Sequence, residues 1–182
     1  PEKPGSTIIS EVKSSQSLYD DIAKQGGRPI MWKTGHSLIK AKMKSEHAVL
    51  AGEMSGHMFF ADRYFGYDDA IYASCRLVEI LAKTTRSLSA LVADLPKTSV
   101  TPEIRVDVSD SIKFELVRHV QDRLTDCTKT CEELGPAKLV VRKVVTIDGV
   151  RATFDDGWGL IRASNTQPAL VLRFEAASPE RL

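Results

Sequence analysis

Cysteine is scarce in this chain: Cys75, Cys127 and Cys131 are the only three among 182 residues. An odd number at no framework spacing excludes a disulfide-stapled scaffold and points to a reducing cytoplasm. No apolar run approaches the roughly 18 residues that a membrane helix needs, so no membrane partner is expected. The opening PEKPGSTIIS lacks the basic-then-apolar order of an export signal. An excess of one charge is missing as well. The net charge of +1 leaves no basic stripe for nucleic acid, which is excluded as a partner. Internal repeats and low-complexity tracts are absent too. What is present, 42% hydrophobic and 27% charged residues, is the make-up of an ordinary soluble globular protein. Its length suits one large domain or two small ones.

Strand-like and helix-like segments alternate through the first half. STIISEVK reads as a strand, and SQSLYDDIAKQ as a helix with Leu18, Ile22 and Ala23 at helical spacing, stopped by Gly26-Gly27. RPIMWKT is a second strand, SLIKAKMK a second helix and AVLAGE a third strand. AIYASCRLVEILAKTTRSLSALVAD is helical, and its Ile71, Cys75, Val78, Ile80 and Leu81 fit a buried face. Such alternation predicts an α/β domain over residues 1–96, with a mixed, mainly parallel sheet and helices on both faces. DLPKTSVTPE reads as a linker, with a hinge near Leu95 to Pro102. Over residues 97–182 the pattern changes. A helix from about Ser111 to Glu132 carries Phe114, Val117 and Leu124 on one face. KLVVRKVVTI, VRATFD, WGLIRA and ALVLRFEA then follow, with Asp148-Gly149 and Asp156-Gly157 as hairpin turns. This second domain is expected to be α+β, an antiparallel sheet packed on helices.

In open α/β sheets, ligands bind beyond the carboxyl ends of the strands. The three expected strands end at Lys13, at Lys33-Thr34-Gly35-His36 and at Gly52 to His57. Polar side chains beside glycine at all three ends mark a candidate site. A second concentration is RASNTQP, Arg162 to Pro168, between two strands. Hydroxyls, an amide and backbone N–H groups next to an arginine suit a phosphate dianion. The loop lacks the glycines and lysine of a Walker-type cradle. Simpler readings stand beside these. RASNTQP alone reads more simply as a turn, Lys13 as a solvated charge and His36 as a helix-entry residue. Glu53 and His57, abutting AVLAG, are hard to read as filler. Asp68-Asp69 most simply start the next helix. Cys127 and Cys131, with His119 upstream, lack a fourth ligand and the usual metal spacing. The aromatics of FFADRYFGY read as core or interdomain packing.

GEMSGH (Gly52 to His57), KTGHS (Lys33 to Ser37) before it and RASNTQP after it resemble the α-D-phosphohexomutase family. The likeness is greatest to its bacterial phosphomannomutase/phosphoglucomutase members, over the third and fourth domains only. The resemblance implies that Glu53 and Ser55 hold the 3- and 4-hydroxyls of the sugar. Met54 between them fits the glucose/mannose type. His57 is implied as general acid/base facing a phosphoserine, with His36 and Lys13 lining the same cleft. Arg162, Ser164, Asn165 and Thr166 are implied to clamp the non-reacting phosphate, with Gln167 closing the loop. The implied reaction interconverts hexose 1-phosphate and 6-phosphate, for glucose and for mannose, through glucose 1,6-bisphosphate or its mannose counterpart. Reversing the ring roughly exchanges the 3- and 4-hydroxyl positions, so one Glu/Ser pair serves both poses.

Two parts of that family's pattern are missing. The serine loop, of Thr-Ala-Ser-His-Asn-Pro type, is absent, and so is the Asp-Gly-Asp-x-Asp-Arg loop that holds Mg2+ in the full-length enzymes. Asp155-Asp156-Gly157-Trp158 is a hairpin turn and no substitute. The chain is therefore expected to be a fragment of a larger mutase, inactive alone, with the N-terminal domains as its partner. A stand-alone, non-catalytic sugar-phosphate binding module is the alternative, as is a phosphoglucosamine mutase fragment.

Overall fold

The computed structural model describes residues 3–130, 133–135 and 138–182. The chain divides into two units, Pro1–Pro96 and Lys97–Leu182. In the first, β1 (Thr7–Glu11) leads into α1 (Gln16–Lys24), whose start is capped by the Ser15 hydroxyl accepting the Ser17 N–H. Gly26, at φ 80°, turns the chain into β2 (Arg28–Trp32). Then come α2 (His36–Glu46), β3 (Leu50–Gly52) and β4 (Met58–Phe60). β1 runs parallel to both β2 and β3, and β4 returns antiparallel on β3, in the order β2-β1-β3-β4. The sheet is thus mixed and mainly parallel, as the alternating pattern predicts. Ile9, Ile39, Met43, Ala51 and Phe59 form its core. A fully buried side chain of the larger apolar kinds contributes about 1.5–3 kcal/mol.

The run from Ala70 to Asp94 departs from expectation. It forms two helices, α3 (Ala70–Ala82) and the single turn α4 (Leu88–Leu91), and α3 buries none of its residues. Ile71 is 80% exposed, Val78 63% and Ile80 54%. Cys75 is exposed as well, and only Leu81 of the expected face is half-buried. The cause is that α3 is anchored by its polar side. Tyr72 stacks on Tyr64 at 3.9 Å between ring centres and meets Phe60 edge-on. Arg76 lies 4.9 Å over the Phe60 ring and pairs with Asp62. Glu79 accepts from Arg63 at 2.7 Å and pairs with Lys83 at 3.0 Å. In FFADRYFGY, Phe59 is fully buried, but Phe65 and Tyr67 are exposed rather than packed in a core.

The second unit comprises β5 (Ser99–Val100), β6 (Ile104–Asp107), α5 (Lys113–Thr130) and β7 (Glu133–Leu134). β8 (Leu139–Val140), β9 (Lys143–Val145), β10 (Val150–Thr153), β11 (Gly157–Ala163) and β12 (Ala169–Ala176) follow. A 3-10 turn, Pro179–Arg181, comes last. The sheet is antiparallel, ordered β5-β12-β11-β10-β9, with β6 also on β12. DLPKTSVTPE is a linker only in part, because Ser99-Val100 pair with β12. Cys127, Val141 and Ala152 form a core with Leu124 and Phe154 against it. Cys131 and Glu132, at the expected end of α5, lie outside the described residues. On the expected inner face Val117 is buried, but Phe114 is 58% exposed. Lys113 takes the inward position of that first turn, which rotates its neighbour out to solvent. Among the described residues no helix is long and apolar enough to cross a membrane.

The anchor of α3 is acid-sensitive. Hydrogen bonds from Arg63, then Lys83, lower the Glu79 pKa from 4.5 to about 2. Because folding depresses this pKa, the contribution of Glu79 is complete above about pH 4.5 and fades as pH falls towards 2. Hydrogen exchange over that interval is expected to show α3 amides accelerating, and Glu79→Gln to flatten the response. An identical acid response in both proteins would remove Glu79 from the anchor.

Candidate functional site

Three strand ends meet at one buried carboxylate. Glu11, the last residue of β1, is fully buried. One carboxylate oxygen accepts the Thr34 hydroxyl at 2.5 Å, and the other accepts the Met54 N–H at 3.0 Å. Lys13 Nζ lies 3.8 Å from it, its side chain only 11% exposed. Lys13 is therefore no solvated charge. Ser10 adds a second tie, donating to the Gly52 carbonyl at 3.1 Å. Glu11 is not among the residues that the sequence marks, and Thr34 enters only as part of the Lys33 to His36 strand end. A carboxylate ending an apolar strand two residues before a lysine was the available signal.

The Gly52 to His57 loop closes on itself and on its neighbour. The Glu53 N–H donates to the His57 carbonyl at 2.9 Å, and Gly56, at φ 94°, donates back to the Glu53 carbonyl. The Glu53 carboxylate accepts the Gly35 N–H at 2.9 Å. Gly35 itself sits at φ 127°, a left-handed position that a side chain would strain. The structure thus brings Lys13, Glu53 and the entry of α2 together through backbone and carboxylate bonds. Ser55 and His36 are exposed, His36 as the first residue of α2.

His57 is exposed, and its Nδ1 lies 2.6 Å from Asp68 Oδ2. This changes the reading of Asp68-Asp69. Asp69 alone caps α3, accepting the Tyr72 N–H at 2.8 Å, while Asp68 turns to the imidazole. Bonds from the Tyr64 hydroxyl and the Tyr72 N–H hold the Asp69 carboxyl below the usual range. An ionised Asp68 accepts Nδ1–H, which leaves Nε2 as the basic nitrogen of His57. Such a pair can move a proton at an exposed position.

The RASNTQP loop lies at the β11–β12 hairpin. Period-two alternation puts Arg162 on the same face as Trp158 and Leu160, and all three are buried. Its guanidinium pairs with Asp148 at 3.1 Å, while its Nε has no hydrogen-bond partner among the described residues. Asp148 reaches it because Gly149 lies against β11, where an added Cβ would sit 2.4 Å from the Ile161 carbonyl. The buried Ser164 hydroxyl accepts the N–H groups of Thr166 at 3.4 Å and Gln167 at 3.2 Å. Asn165, Thr166 and Gln167 are exposed. Lys113 underpins the loop, donating to the Gln167 carbonyl at 2.9 Å and pairing with Asp110. Arg105 donates to the Gln167 side-chain oxygen. Asp148, Lys113 and Arg105 were missed. Their positions in a turn, a helix start and an edge strand look like ordinary surface.

Two family models match this chain. Phosphoglucomutase/phosphomannomutase, alpha/beta/alpha domain III, matches residues 1–99, and the C-terminal domain of the same enzymes matches residues 103–182. The chain belongs to the phosphoglucomutase/phosphomannomutase family. It is 49% identical over 179 residues to the phosphomannomutase/phosphoglucomutase of Pseudomonas putida, covering 98% of this chain and 36% of that protein. The phosphoglucomutase of Neisseria gonorrhoeae is 43% identical over 173 residues, covering 95% and 35%. The crystal structure of a phosphoglucomutase/phosphomannomutase family protein from Burkholderia thailandensis superposes with a TM-score of 0.80 at 45% identity, covering 98% and 35%. The chain thus spans about a third of the length of the relatives it matches, domains III and IV of a phosphohexomutase isomerase family. Among the described residues no three His, Cys, Asp or Glu side chains converge to hold a metal ion. The resemblance places the Mg2+ on a loop that this sequence does not contain, and the described residues offer no set that fits it.

Two substitutions test how the loops are held. Glu11→Ala removes the buried carboxylate that gathers the Thr34 hydroxyl, the Met54 N–H and Lys13. It is expected to cost the first unit about 3 kcal/mol in urea denaturation, the lower end for breaking a buried pair. A loss below about 1 kcal/mol would show that the three strand ends hold without it. Ser164→Ala removes two acceptor contacts and is expected to cost the second unit about 1–2 kcal/mol. Unchanged exchange rates at the Thr166 and Gln167 amides would contradict that assignment.

Proposed function

We propose that the chain is the sugar- and phosphate-recognition portion of a longer phosphomannomutase/phosphoglucomutase acting on glucose and mannose 1- and 6-phosphates. In this reading Glu53 and Ser55 grip the ring hydroxyls, and His57, oriented by Asp68, moves a proton at the reacting oxygen. Arg162, Ser164, Asn165, Thr166 and Gln167 take the non-reacting phosphate. His36 and Lys13 complete the first unit's polar surface. The phosphoserine, Mg2+ and the bisphosphate-bound state belong to the longer, cytoplasmic enzyme. The observation that carries the proposal is the Glu53 loop. In a member of this family, a carboxylate held by the Gly35 N–H stands beyond the ends of three parallel strands, where open α/β sheets bind their ligands.

Physical chemistry supports the division of labour. An ionised carboxylate accepts hydroxyl hydrogen bonds about twice as strongly as a neutral acceptor. One such group at fixed position serves a sugar bound in either orientation. The Arg162 fork suits a phosphate in a way that a lysine would not, through two parallel N–H donors.

Titration calorimetry with glucose 1-phosphate is expected to show weak binding to the 182-residue chain. Glu53→Ala should weaken it about tenfold or more, since hydrogen bonds to charged groups contribute about 1.5–3 kcal/mol. Unaltered affinity in the Glu53→Ala protein would refute the sugar assignment. Arg162→Ala is expected to abolish the response to inorganic phosphate, leaving Glu53 untouched. The chain alone should show no mutase turnover, and turnover by a contaminant-free sample would overturn the division between this chain and a catalytic remainder.

A further inference from the structure

The charges of α2 are paired on one side only. Lys42 and Glu46 pair with each other at 2.7 Å, and Glu46 also takes Arg28 at 2.6 Å. Lys40, Lys44 and His47 follow i, i+4, i+7 spacing and share a different face. None of these three has an ion-pair partner among the described residues of the first unit. Like charges four residues apart weaken a helix unless an anion neutralises them. All three line an open cavity of about 690 Å3, within the roughly 300–1,000 Å3 of small-molecule sites. Phe65 and Tyr67 line it too, their rings stacked 5.7 Å apart, together with the buried Met43. No Asp or Glu is among the described residues that line it.

The geometry points to a second ligand site in this cavity, for a small anion that carries a flat ring, the chemistry of a nucleoside phosphate. Two ammonium groups and an imidazole suit a phosphate dianion, which lysines bind as point charges. The aromatic faces suit a planar base, because every base has a π-face to stack. A bare phosphate would leave the rings unused, and an uncharged ring would leave the ammonium groups without a counter-ion. The loop that carries the rings is held in shape. Gly66, at φ 76°, turns the chain between them and donates its N–H to the Phe60 carbonyl at 2.8 Å. The N–H groups of Ala61 and Asp62 both donate to the Val49 carbonyl, at 2.9 and 3.0 Å. Every lining residue lies between Lys40 and Tyr67, so the first unit alone builds the cavity. It is also separate from the candidate sugar loop. α2 starts at His36, next to the Gly35 N–H that holds Glu53, and His47 lies roughly 16 Å further along its axis.

Titrating the 182-residue chain with AMP, with ribose 5-phosphate and with adenosine tests the site. AMP is expected to bind about tenfold or more tightly than either part, the gain that stacking one base gives. Its amide shifts are expected at residues 40–49 and 61–67. Lys44→Glu should weaken AMP by about tenfold or more. Lys40→Gln, a milder change on the same face, should weaken it less but in the same direction. Tyr67→Ala should bring AMP down to the affinity of ribose 5-phosphate. Equal affinities of the unaltered chain for AMP and ribose 5-phosphate would overturn the proposal, leaving only an anion-attracting surface. So would shifts confined to Ser164 to Gln167, or AMP that fails to bind. The site shares no residue with the sugar and phosphate loops, so glucose 1-phosphate binding should survive Lys44→Glu. A chain that binds AMP here and ignores glucose 1-phosphate would sink the mutase reading alone.

Discussion

The carboxylate of Glu11 is the point on which the first unit's polar face depends. An ionised group taken out of water is costly unless every oxygen finds a donor. Here a hydroxyl from the end of β2, an N–H from the loop after β3 and the ammonium of Lys13 surround it. Each donor comes from a different strand end, so satisfying the charge fixes the spacing of all three. Glu53 is then set by two short steps from that centre. Its neighbour's N–H is held by Glu11, and its own carboxylate is held by the Gly35 N–H. The second unit works on the same terms with the signs exchanged, a buried guanidinium at Arg162 compensated by Asp148 from an adjacent turn.

Both candidate loops lie where regular structure ends. Inside the sheet, backbone groups are committed to the ladder, and side chains alternate between two faces. At the strand ends the N–H groups are released, and glycines such as Gly35 and Gly56 allow turns that aim them. The apolar core beneath, with Ile9, Ala51 and Phe59 fully buried, supplies the rigidity. The cost of mispacking that core is what makes the loop geometry reproducible.

Much of this could be read from the chain, and the failures have physical causes. The α/β and α+β halves were legible because hydrophobic period and turn residues are local properties. Glu53, Ser55 and His57 stood out because polar groups abut an apolar strand. Glu11 was hidden, because a carboxylate in a strand reads as the solvent side of an alternation. Only the tertiary structure shows that its strand is enclosed. Lys113 was hidden for the same reason at a helix start, and Phe114 was misplaced with it. On α3 the period was right and the direction wrong. Periodicity reports which residues share a face, and it says nothing of what lies opposite.

The Ser164 hydroxyl has a consequence for selectivity. It already accepts the N–H groups of Thr166 and Gln167. An incoming ligand wins those donors only by outcompeting an oxygen that is covalently tethered and entropically free of charge to keep. Neutral oxygens gain almost nothing from that exchange. A doubly charged one gains the difference between a neutral and an ionic acceptor. If the loop takes a phosphate as proposed, the tethered hydroxyl sets a threshold that turns away weak acceptors before any question of shape arises.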